Sequence, residues 1–547
     1  MSSSVSEPPD GSLIEGCSTY ATPRFFLAWK GVIFAYGQRA GLETVRTFAQ
    51  RIATGSIKTE WSALHGVFWL VIHDRHSGTR WHGVDNAGLY HAYYTTDTVS
   101  TRFLTLLSDK ACSASQLAPH AIVDFLTHGG VHWRNTFVND IKTIGFDEII
   151  ETVPTSANMG VRTHVVKKVL SANHKVSLSS FIDYFNELAL ALQDKKISVD
   201  LTGGIDSRLI VCLLNTNGVN FEVAVAGRAG IPDVLIAKKA AAAIGKEIQI
   251  CYHDASAIVE ELPQLFRECD GLGDVLAYHR SHQMSGERRR RGIEVVIGGA
   301  GGELYKDFWW LQDWPFYNSR RVNFARLYDL RICPRGLPAG LLAGDAAAAY
   351  AELRGQTIKK LATLRGSTNT ESYDNIYFFY KIASVSGQVI TNNVNNYFGV
   401  VVPFLEYDNV LFGTSLPRSL RFLNRFHRMM LTERCPELAD VLTTEGVTAR
   451  IRKGTSLSDP LGFVMNRSRR LIGKIAERIL RRRWMGLPDP NDPEMVPRVR
   501  QSTAFRAAVE DLKDAGILNP DFPIEKIENI HVGRILTLGM LLRHVGR

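Results

Sequence analysis

The sequence lacks the cysteine patterns of a disulfide-rich or zinc-binding protein. Its seven cysteines among 547 residues are odd in number, widely spaced and never form a C-x-x-C pair. This usage argues against a disulfide framework and against a cysteine zinc site, and it indicates a reducing compartment. The sixteen histidines show no H-E-x-x-H or comparable metal spacing, which argues against a catalytic zinc.

Long hydrophobic runs are also missing. No apolar stretch approaches the roughly 20 residues that a membrane-spanning helix needs. Residues 1–10 contain neither a basic segment nor an apolar one, which indicates a short disordered lead rather than a signal peptide. The composition, with 45% hydrophobic, 10% aromatic and 22% charged residues, is typical of a globular protein. We therefore expect a cytoplasmic protein without a membrane span.

Positive charge is concentrated near the C-terminal end. The net charge is +9, and the segment between Ile451 and Trp484 holds ten basic residues against two acidic ones. Such a basic patch could meet phosphate, nucleic acid, an acidic peptide or an anionic membrane, or it could be one face of a solvated helix. We expect an acidic peptide or partner protein there, and no nucleic acid.

The chain divides into two regions whose sequence patterns predict different secondary structure. Residues from about 25 to 165 resemble short strands separated by turns, with a hairpin formed by residues 66–73 and 79–84. From Ser180 onward short strands alternate with helices. The expected strands there are residues 197–201, 221–225, 247–252 and 294–297, and the expected helices are residues 181–193, 209–214 and 234–244. This alternation predicts a doubly wound parallel sheet, and the chain after about residue 320 is predicted to be mainly helical.

The stretch from Val199 to Arg208 carries the clearest chemical signal. A strand runs into two glycines, and a helix begins near Asp206 and Ser207. Backbone N–H groups beside glycines and at a helix N-terminus can approach an anion closely, and the hydroxyls of Thr202 and Ser207 can donate to phosphate oxygens. Asp206 would repel a bare phosphate but suits a Mg²⁺ ion bound to pyrophosphate. The predicted phosphate-binding residues are Leu201, Thr202, Gly203, Gly204, Asp206 and Ser207, although a plain tight turn would use similar residues.

Five stretches in the same order resemble the asparagine synthetase family. Leu201-Thr-Gly-Gly-Ile-Asp-Ser207 resembles the family's Ser-Gly-Gly-x-Asp-Ser pyrophosphate loop. The other four are residues 66–74, 84–94, 122–129 and 401–406. The resemblance implies an α/β protein in which an N-terminal Ntn-type αββα sandwich precedes a doubly wound parallel-sheet PP-loop synthetase domain with a helical C-terminal part. The implied boundaries are residues 1–170, 171–455 and, for a basic helical extension, 456–547.

The family's glutaminase features are missing from the N-terminal region. The resemblance implies a nucleophilic Cys after the initiator Met, but position 2 is Ser2, and neither an Arg-Gly-Pro-Asp nor an Asn-Gly-Glu motif is present. Cys17 is internal, and a serine hydroxyl is a poorer nucleophile than a thiol. We expect this glutaminase-like half to be inactive, as in β-lactam synthetases and lasso-peptide cyclases.

The resemblance also implies further site residues. The family's second metal-binding acid lies in a Gly-x-Gly-x-Asp-Glu segment, for which this chain has Gly-Gly-Ala-Gly-Gly-Glu at 298–303. One alignment makes Glu303 a metal ligand beside Asp206, and the other puts Gly302 there and loses the acid. The resemblance implies that Ala226 and Gly227 contact the adenine and that Gly298 binds the nucleotide. It also implies that Lys453 and Asp206 act in catalysis. Lys453 could equally be the first member of the basic patch.

The implied activity is formation of an acyl-adenylate from a carboxylate and Mg-ATP, followed by attack of an amine or ammonia. The products are an amide, AMP and pyrophosphate. A small acid such as a sugar acid is one substrate, as in polysaccharide-linked relatives. A ribosomal precursor peptide closed into a macrolactam is another. A catalytically inactive scaffold is an alternative from another class.

Overall fold

The computed structural model describes residues 16–154, 161–170, 176–228, 230–313, 316–451, 472, 476 and 494–546. Its strands are β1 Ser18–Ala21, β2 Phe25–Gly31, β3 Phe68–Asp74, β4 Arg80–Val84, β5 Tyr93–Tyr94, β6 Val99–Ser100, β7 Lys142–Thr143, β8 Glu148–Pro154, β9 Val161–Lys167, β10 Ile197–Asp200, β11 Phe221–Ala226, β12 Ile248–Cys251, β13 Val295–Ile297 and β14 Gly399–Val401.

Helices dominate the second half of the described chain. The α-helices are α1 Leu42–Ile52, α2 Ile57–Trp61, α3 Phe103–Asp109, α4 Pro119–His128, α5 Leu178–Ala191, α6 Asp206–Thr216, α7 Pro232–Ala243, α8 Ile258–Glu268, α9 Val275–Arg290, α10 Phe324–Leu327, α11 Gly344–Thr363, α12 Asn369–Asn375, α13 Gly387–Asn396, α14 Tyr407–Ser415, α15 Arg418–Arg421, α16 Arg425–Arg434, α17 Pro436–Asp440, α18 Met495–Gln501, α19 Thr503–Asp514 and α20 Asn529–Val545. Shorter 3-10 turns include Gly302–Tyr305, and π-helical turns cover Tyr328–Ile332 and Ile376–Ser386.

The N-terminal part is built from two antiparallel sheets. Six strands pair in the order β1-β2-β3-β4-β8-β9, and three two-residue strands pair in the order β6-β5-β7. Side chains of β2 alternate between faces, as a strand requires. Phe25 and Leu27 join the core that contains Phe48 of α1, whereas Phe26 and Ala28 join the larger core of the molecule. This arrangement agrees with the predicted strand-rich N-terminal half.

A five-stranded parallel sheet forms the centre of the second part, in the order β12-β11-β10-β13-β14. The strand order reverses at β10, because the chain runs from β10 to β11 and β12 on one side and returns to β13 on the other. The predicted doubly wound α/β class is thereby confirmed. The sequence missed only β14 among these strands, since its three residues lie in a region predicted to be mainly helical.

A second core lies between the N-terminal part and the last helices. It combines buried side chains of α3 and α4 with those of α8, α9, α11 and the three final helices. The C-terminal helix α20 packs on both α4 and α9. The three domain boundaries drawn from the sequence stay a prediction. Within the described residues, no helix is both long and apolar enough to cross a membrane.

Candidate active site

The candidate site lies where the strand order of the parallel sheet reverses. Asp200, the last residue of β10, pairs with Ala224 of β11, and Val199 pairs with Ile297 at the end of β13. The carboxyl ends of these strands therefore meet at one edge of the sheet. Open α/β sheets bind ligands in the crevice at such a reversal. The loop 201–205 and the N-terminus of α6 follow directly from β10.

Hydrogen bonds hold the loop in a fixed shape. Ser207 Oγ accepts from the Thr202 backbone N–H at 3.0 Å, and the two hydroxyl oxygens also lie 3.0 Å apart. The Gly204 N–H donates to Thr202 Oγ1 at 3.2 Å. The two hydroxyls and the first turn of α6 are thus grouped at the sheet edge, as the sequence predicted for a phosphate loop.

The Gly203 N–H already has an anionic partner. It donates to Asp233 Oδ1 at 2.8 Å, and Asp233 lies in the first turn of α7. A Cβ at Gly203 would come within 2.9 Å of the same oxygen, so only glycine allows this approach. The Gly203 N–H can therefore reach a phosphate only if Asp233 gives way.

The glycine-rich segment after β13 packs directly on the start of α6. A Cβ at Gly299 would lie 3.0 Å from the backbone N and Cα of Ser207, and one at Gly302 would overlap the carboxyl group of Asp206. Gly301 has φ +89°, in the left-handed region that favours glycine. The absence of side chains here brings the 3-10 turn Gly302–Tyr305 against Asp206. Gly298 lies at the end of β13, where a Cβ would be 3.6 Å from Asp200 Oδ2.

Asp206 is the centre of a mostly buried ionic cluster. Lys306 Nζ lies 2.6 Å from Asp206 Oδ2, and the two side chains are only 15% and 20% exposed. His427 Nε2, fully buried on α16, lies 3.0 Å from Asp206 Oδ1. Burial alone would raise the pKa of Asp206, but Lys306, and then His427, outweigh it and hold the pKa well below its usual range. Asp206 is therefore ionised at neutral pH.

The two nitrogen partners of Asp206, Lys306 and His427, differ in charge. Burial lowers the pKa of His427 in spite of the Asp206 carboxylate, so its imidazole is neutral at pH 7. For Lys306 burial would lower the pKa, but the attraction of Asp206 outweighs it and raises the pKa. Lys306 thus supplies the positive charge beside Asp206, and His427 supplies a neutral ring.

Lys306 is fixed through its backbone. Its carbonyl oxygen accepts from Arg421 Nη2 at 2.8 Å and from Nε at 3.2 Å. Arg421 is fully buried, pairs with both carboxylate oxygens of Asp374 at 2.6 and 2.9 Å, and stacks 4.0 Å from the ring of Trp310. A buried bidentate arginine of this kind restricts the position of the Lys306 backbone.

Glu303 faces the same cluster. It lies on the 3-10 turn beside Asp206, near the hydroxyl of Tyr377. Burial and then the Glu303 charge raise the pKa of Tyr377, so this hydroxyl stays protonated. The Glu303 charge also acts on Lys306 and His427. Gly302 lies directly against Asp206 as well, so the choice between the two alignments stays a prediction.

The donor set fits a Mg²⁺ ion, which prefers carboxylate oxygens and water. Asp206 Oδ1 is buried, and among the residues that the structure describes it accepts no hydrogen bond of acceptable geometry, even from the nearby His427 ring. A buried carboxylate oxygen without a donor suits a metal ligand. Glu303 provides a second carboxylate on the adjoining turn. The assignment of Asp206 and Glu303 as metal ligands stays a prediction.

The predicted adenine-contacting residues lie at the same sheet edge. Gly227 follows β11, and its N–H donates to Cys251 O at 3.0 Å. The carbonyl of Ala226 accepts from Arg280 Nη2 at 2.8 Å. The carbonyl keeps a second lone pair, whereas the Gly227 N–H is already used. Lys453 and the basic patch from 451 to 484 lie outside the described residues apart from Ile451, Ile472 and Ala476.

Glu406 joins the two parts of the molecule. Its Oε2 accepts from the Gly66 N–H at 3.1 Å, and its Oε1 lies 3.3 Å from His65 Nδ1. Burial alone would lower the pKa of His65, but Glu406 outweighs it and raises the pKa to about 8. Glu406 therefore orders the contact between the N-terminal part and the segment before α14.

Sequence reasoning missed Lys306, His427 and Arg421. Lys306 lies only three residues after Glu303, at the end of the glycine-rich segment. Its closeness to that segment in the sequence could have identified it as a site residue. His427 lies on an amphipathic helix 221 positions after Asp206 in the sequence, where a histidine looks like any core residue. Nothing local distinguishes Arg421 from the other arginines near it.

One of three comparisons with known proteins bears on this site. Residues 189–433 match the family model described as asparagine synthase, which covers the phosphate loop, the glycine-rich segment and His427. No curated protein matches the chain significantly. One similar solved structure is the U34-tRNA thiolase NcsA from Methanococcus maripaludis with its 4Fe-4S cluster, at 13% identity over 55% of this chain and 78% of that one. Its TM-score of 0.20 is too low for a comparison of fold or function.

Proposed function

We propose that this chain, whose residues 189–433 match the asparagine synthase family model, is an ATP-dependent ligase that joins a carboxylate to an amine. In the first step a carboxylate oxygen attacks the α-phosphorus of ATP, forming an acyl-adenylate and releasing pyrophosphate. In the second step an amine or ammonia attacks the acyl carbon, and AMP leaves as the amide forms. Positioning of the reactants is the main device in both steps.

One observation supports the proposal most. Asp206 lies at the N-terminus of α6, directly after a double-glycine loop at the point where the strand order of the sheet reverses. Its mostly buried carboxylate is kept ionised by Lys306. A carboxylate at this position would repel a phosphate, so it can contribute to phosphate binding only through a cation that lies between them. Asp206 and Glu303 would hold Mg²⁺, which when bound offsets charge on the pyrophosphate.

The loop supplies the remaining phosphate contacts. The hydroxyls of Thr202 and Ser207 can donate to phosphate oxygens once they exchange their mutual hydrogen bond for the ligand. The unpaired N–H groups of the first turn of α6 add the partial positive charge of the helix. Leu201, fully buried, anchors the loop to β11 through its N–H to Ala224 O at 2.9 Å.

We propose that ammonia or the amine comes from outside the N-terminal half, because that half lacks the sequence motifs of a glutaminase. The acid is a small molecule such as a sugar acid, or a peptide carboxylate. The basic segment 451–484 would suit an acidic peptide or partner.

Substrate-dependent exchange of labelled pyrophosphate into ATP tests the proposal. We expect exchange with at least one acid from a panel of amino acids, sugar acids and acidic peptides. Asp206→Asn should abolish exchange, because the amide removes the charge that holds the metal. Asp329→Asn, which alters an exposed pair with Arg354, should leave exchange unchanged. No exchange with any acid, together with no ATP binding by calorimetry, would overturn the proposal in favour of an inactive scaffold.

A further inference from the structure

Three side chains with metal-binding chemistry meet at the end of α4, far in sequence from the phosphate loop. Asp124 and His128 are four residues apart on one face of the helix, and His132 follows the left-handed Gly129 that ends it. One ligand atom from each of the three lies within 4.8 Å of the others. Among the described residues this is the only group of its kind that the structure contains.

The contacts within the group are short. His128 Nδ1 lies 2.6 Å from Asp124 Oδ1, and His132 Nδ1 lies 3.1 and 3.2 Å from the two Asp124 oxygens. In a tetrahedral zinc site with Zn–N distances of 2.0–2.1 Å, neighbouring ligand atoms lie about 3.3 Å apart. Small movements would therefore place these three atoms around one Zn²⁺ ion.

The group is buried and rigid. The side chains of His128 and His132 are 2% and 3% exposed, and Asp124 is 14% exposed. The His132 ring stacks on Tyr380 with centroids 4.1 Å apart, and its backbone N–H donates to Asp124 Oδ2 at 2.8 Å. A buried carboxylate needs a compensating cation.

An outer partner is already in place for one histidine. His128 Nε2, the nitrogen turned away from Asp124, lies 3.3 Å from the hydroxyl of Tyr328. Histidines that bind a metal through one ring nitrogen usually engage a polar partner through the other, which fixes their orientation. The ring of Tyr380 also lies 6.4 Å from the His128 ring, measured between centroids. These contacts come from the helical part of the chain, so the group lies between the two parts.

The Asp124 side chain of the group borders open space. Asp124 lines a cavity of about 220 Å³ together with Trp133, Asn135 and Lys360. Three protein ligands and an open position that water or a small anion can fill are a common zinc arrangement. Two imidazoles and a carboxylate select Zn²⁺ over Mg²⁺, which prefers oxygen ligands only.

We propose that Asp124, His128 and His132 form a binding site for Zn²⁺, with the fourth ligand supplied from the adjoining cavity. The site is independent of the proposed ligase chemistry. It differs from the expectation drawn from histidine spacing, since the D-x-x-x-H-x-x-x-H pattern crosses a helix end and is not one of the usual zinc motifs.

Metal binding by the full chain, purified without a histidine tag and stripped of metal, tests the proposal. We expect one Zn²⁺ per chain by plasma mass spectrometry and by competition with a chromogenic chelator. His132→Gln should lose stoichiometric binding, and Tyr328→Phe should weaken it about tenfold. His164→Gln, exposed on β9, should bind like the wild type.

Thermal unfolding distinguishes the loss of the zinc site from the loss of the fold. Metal-free His132→Gln should melt below the metal-free wild type, because it loses the Asp124 contact and the stack on Tyr380, and the rise that Zn²⁺ causes in the wild type should be absent from the variant. Co²⁺ in place of Zn²⁺ should give the intense visible bands of a tetrahedral site in the wild type only. No stoichiometric Zn²⁺ in the wild type, or equal binding by His132→Gln and His164→Gln, would show that the group is a hydrogen-bonded triad and overturn the proposal.

Discussion

We expect Lys306→Met to destabilise the protein through Asp206. Methionine keeps most of the length of the lysine side chain but removes its ammonium group. The change leaves the Asp206 carboxylate, 20% exposed, beside a neutral imidazole and near the Glu303 charge. Removing one partner of a buried ion pair leaves an uncompensated charge, which is far more costly than losing an exposed pair.

The size of the effect follows from the distance between the charges. At 2.6 Å between Nζ and Oδ2, and with an effective dielectric constant of 20, the gross attraction is about 6 kcal/mol. Loss of hydration opposes much of this, and contacting residues show coupling energies of about 0.5–3 kcal/mol. We expect Lys306→Met to lower the free energy of unfolding by about 3 kcal/mol. The coupling between Lys306 and Asp206 should be about 2 kcal/mol.

Denaturant unfolding of the two single variants and the double variant Lys306→Met/Asp206→Asn measures the coupling. Lys195→Met is the matched control, because Lys195 makes an exposed pair with Glu294 at 3.0 Å. That control should cost no more than about 1 kcal/mol. A coupling energy below about 0.5 kcal/mol, or equal losses for Lys306→Met and Lys195→Met, would refute the reasoning.

Two further predictions concern the glycine-rich segment and the contact between the two parts of the chain. Gly302→Ala should weaken ATP binding at least about tenfold by calorimetry, because its Cβ would displace the Asp206 carboxyl, whereas Gly355→Ala, in open space on α11, should not. For His65, the folded-state pKa of about 8 lies above the ordinary value of 6.5, so the His65 contact stabilises the fold fully below pH 6.5 and is lost as the pH rises through 8. Chemical denaturation should show a loss of up to about 2 kcal/mol across this range, and Glu406→Gln should remove that pH dependence; an unchanged pH profile in the variant would contradict the assignment.

Much of the fold could be predicted from local patterns. The strands at β10, β11, β12 and β13 are short apolar runs that alternate with helices, and that alternation predicts a parallel sheet. The four arginines from 288 to 291 end α9, where cations offset the helix dipole. The double-glycine loop can be recognised in the sequence because a phosphate must approach its backbone closely, and only a few residue types allow this approach.

The rest depends on contacts that no local pattern encodes. Lys306 reaches Asp206 across 100 residues of sequence, and β14 is too short to show a strand period. Asp233 meets the Gly203 N–H only because α7 folds back onto the loop. The Asp124 and His128 pair has helical spacing, but His132 joins it only because Gly129 turns the chain after the helix. These contacts join residues that are far apart in the sequence, and they are determined by how the helices and strands pack.

The second core also has a consequence for how the chain is made. Helix α4 ends at His128, and its partner α20 begins at Asn529, roughly 400 residues later. At a synthesis rate of about 5–20 residues per second, the apolar face of α4 waits tens of seconds for the helix that covers it. Leu126 and Ile122, both at most 3% exposed in the finished protein, stay uncovered on that side for this time. The N-terminal part therefore reaches its final packing only after α20 has been synthesised, and the exposed face of α4 must be protected from association with other chains until then.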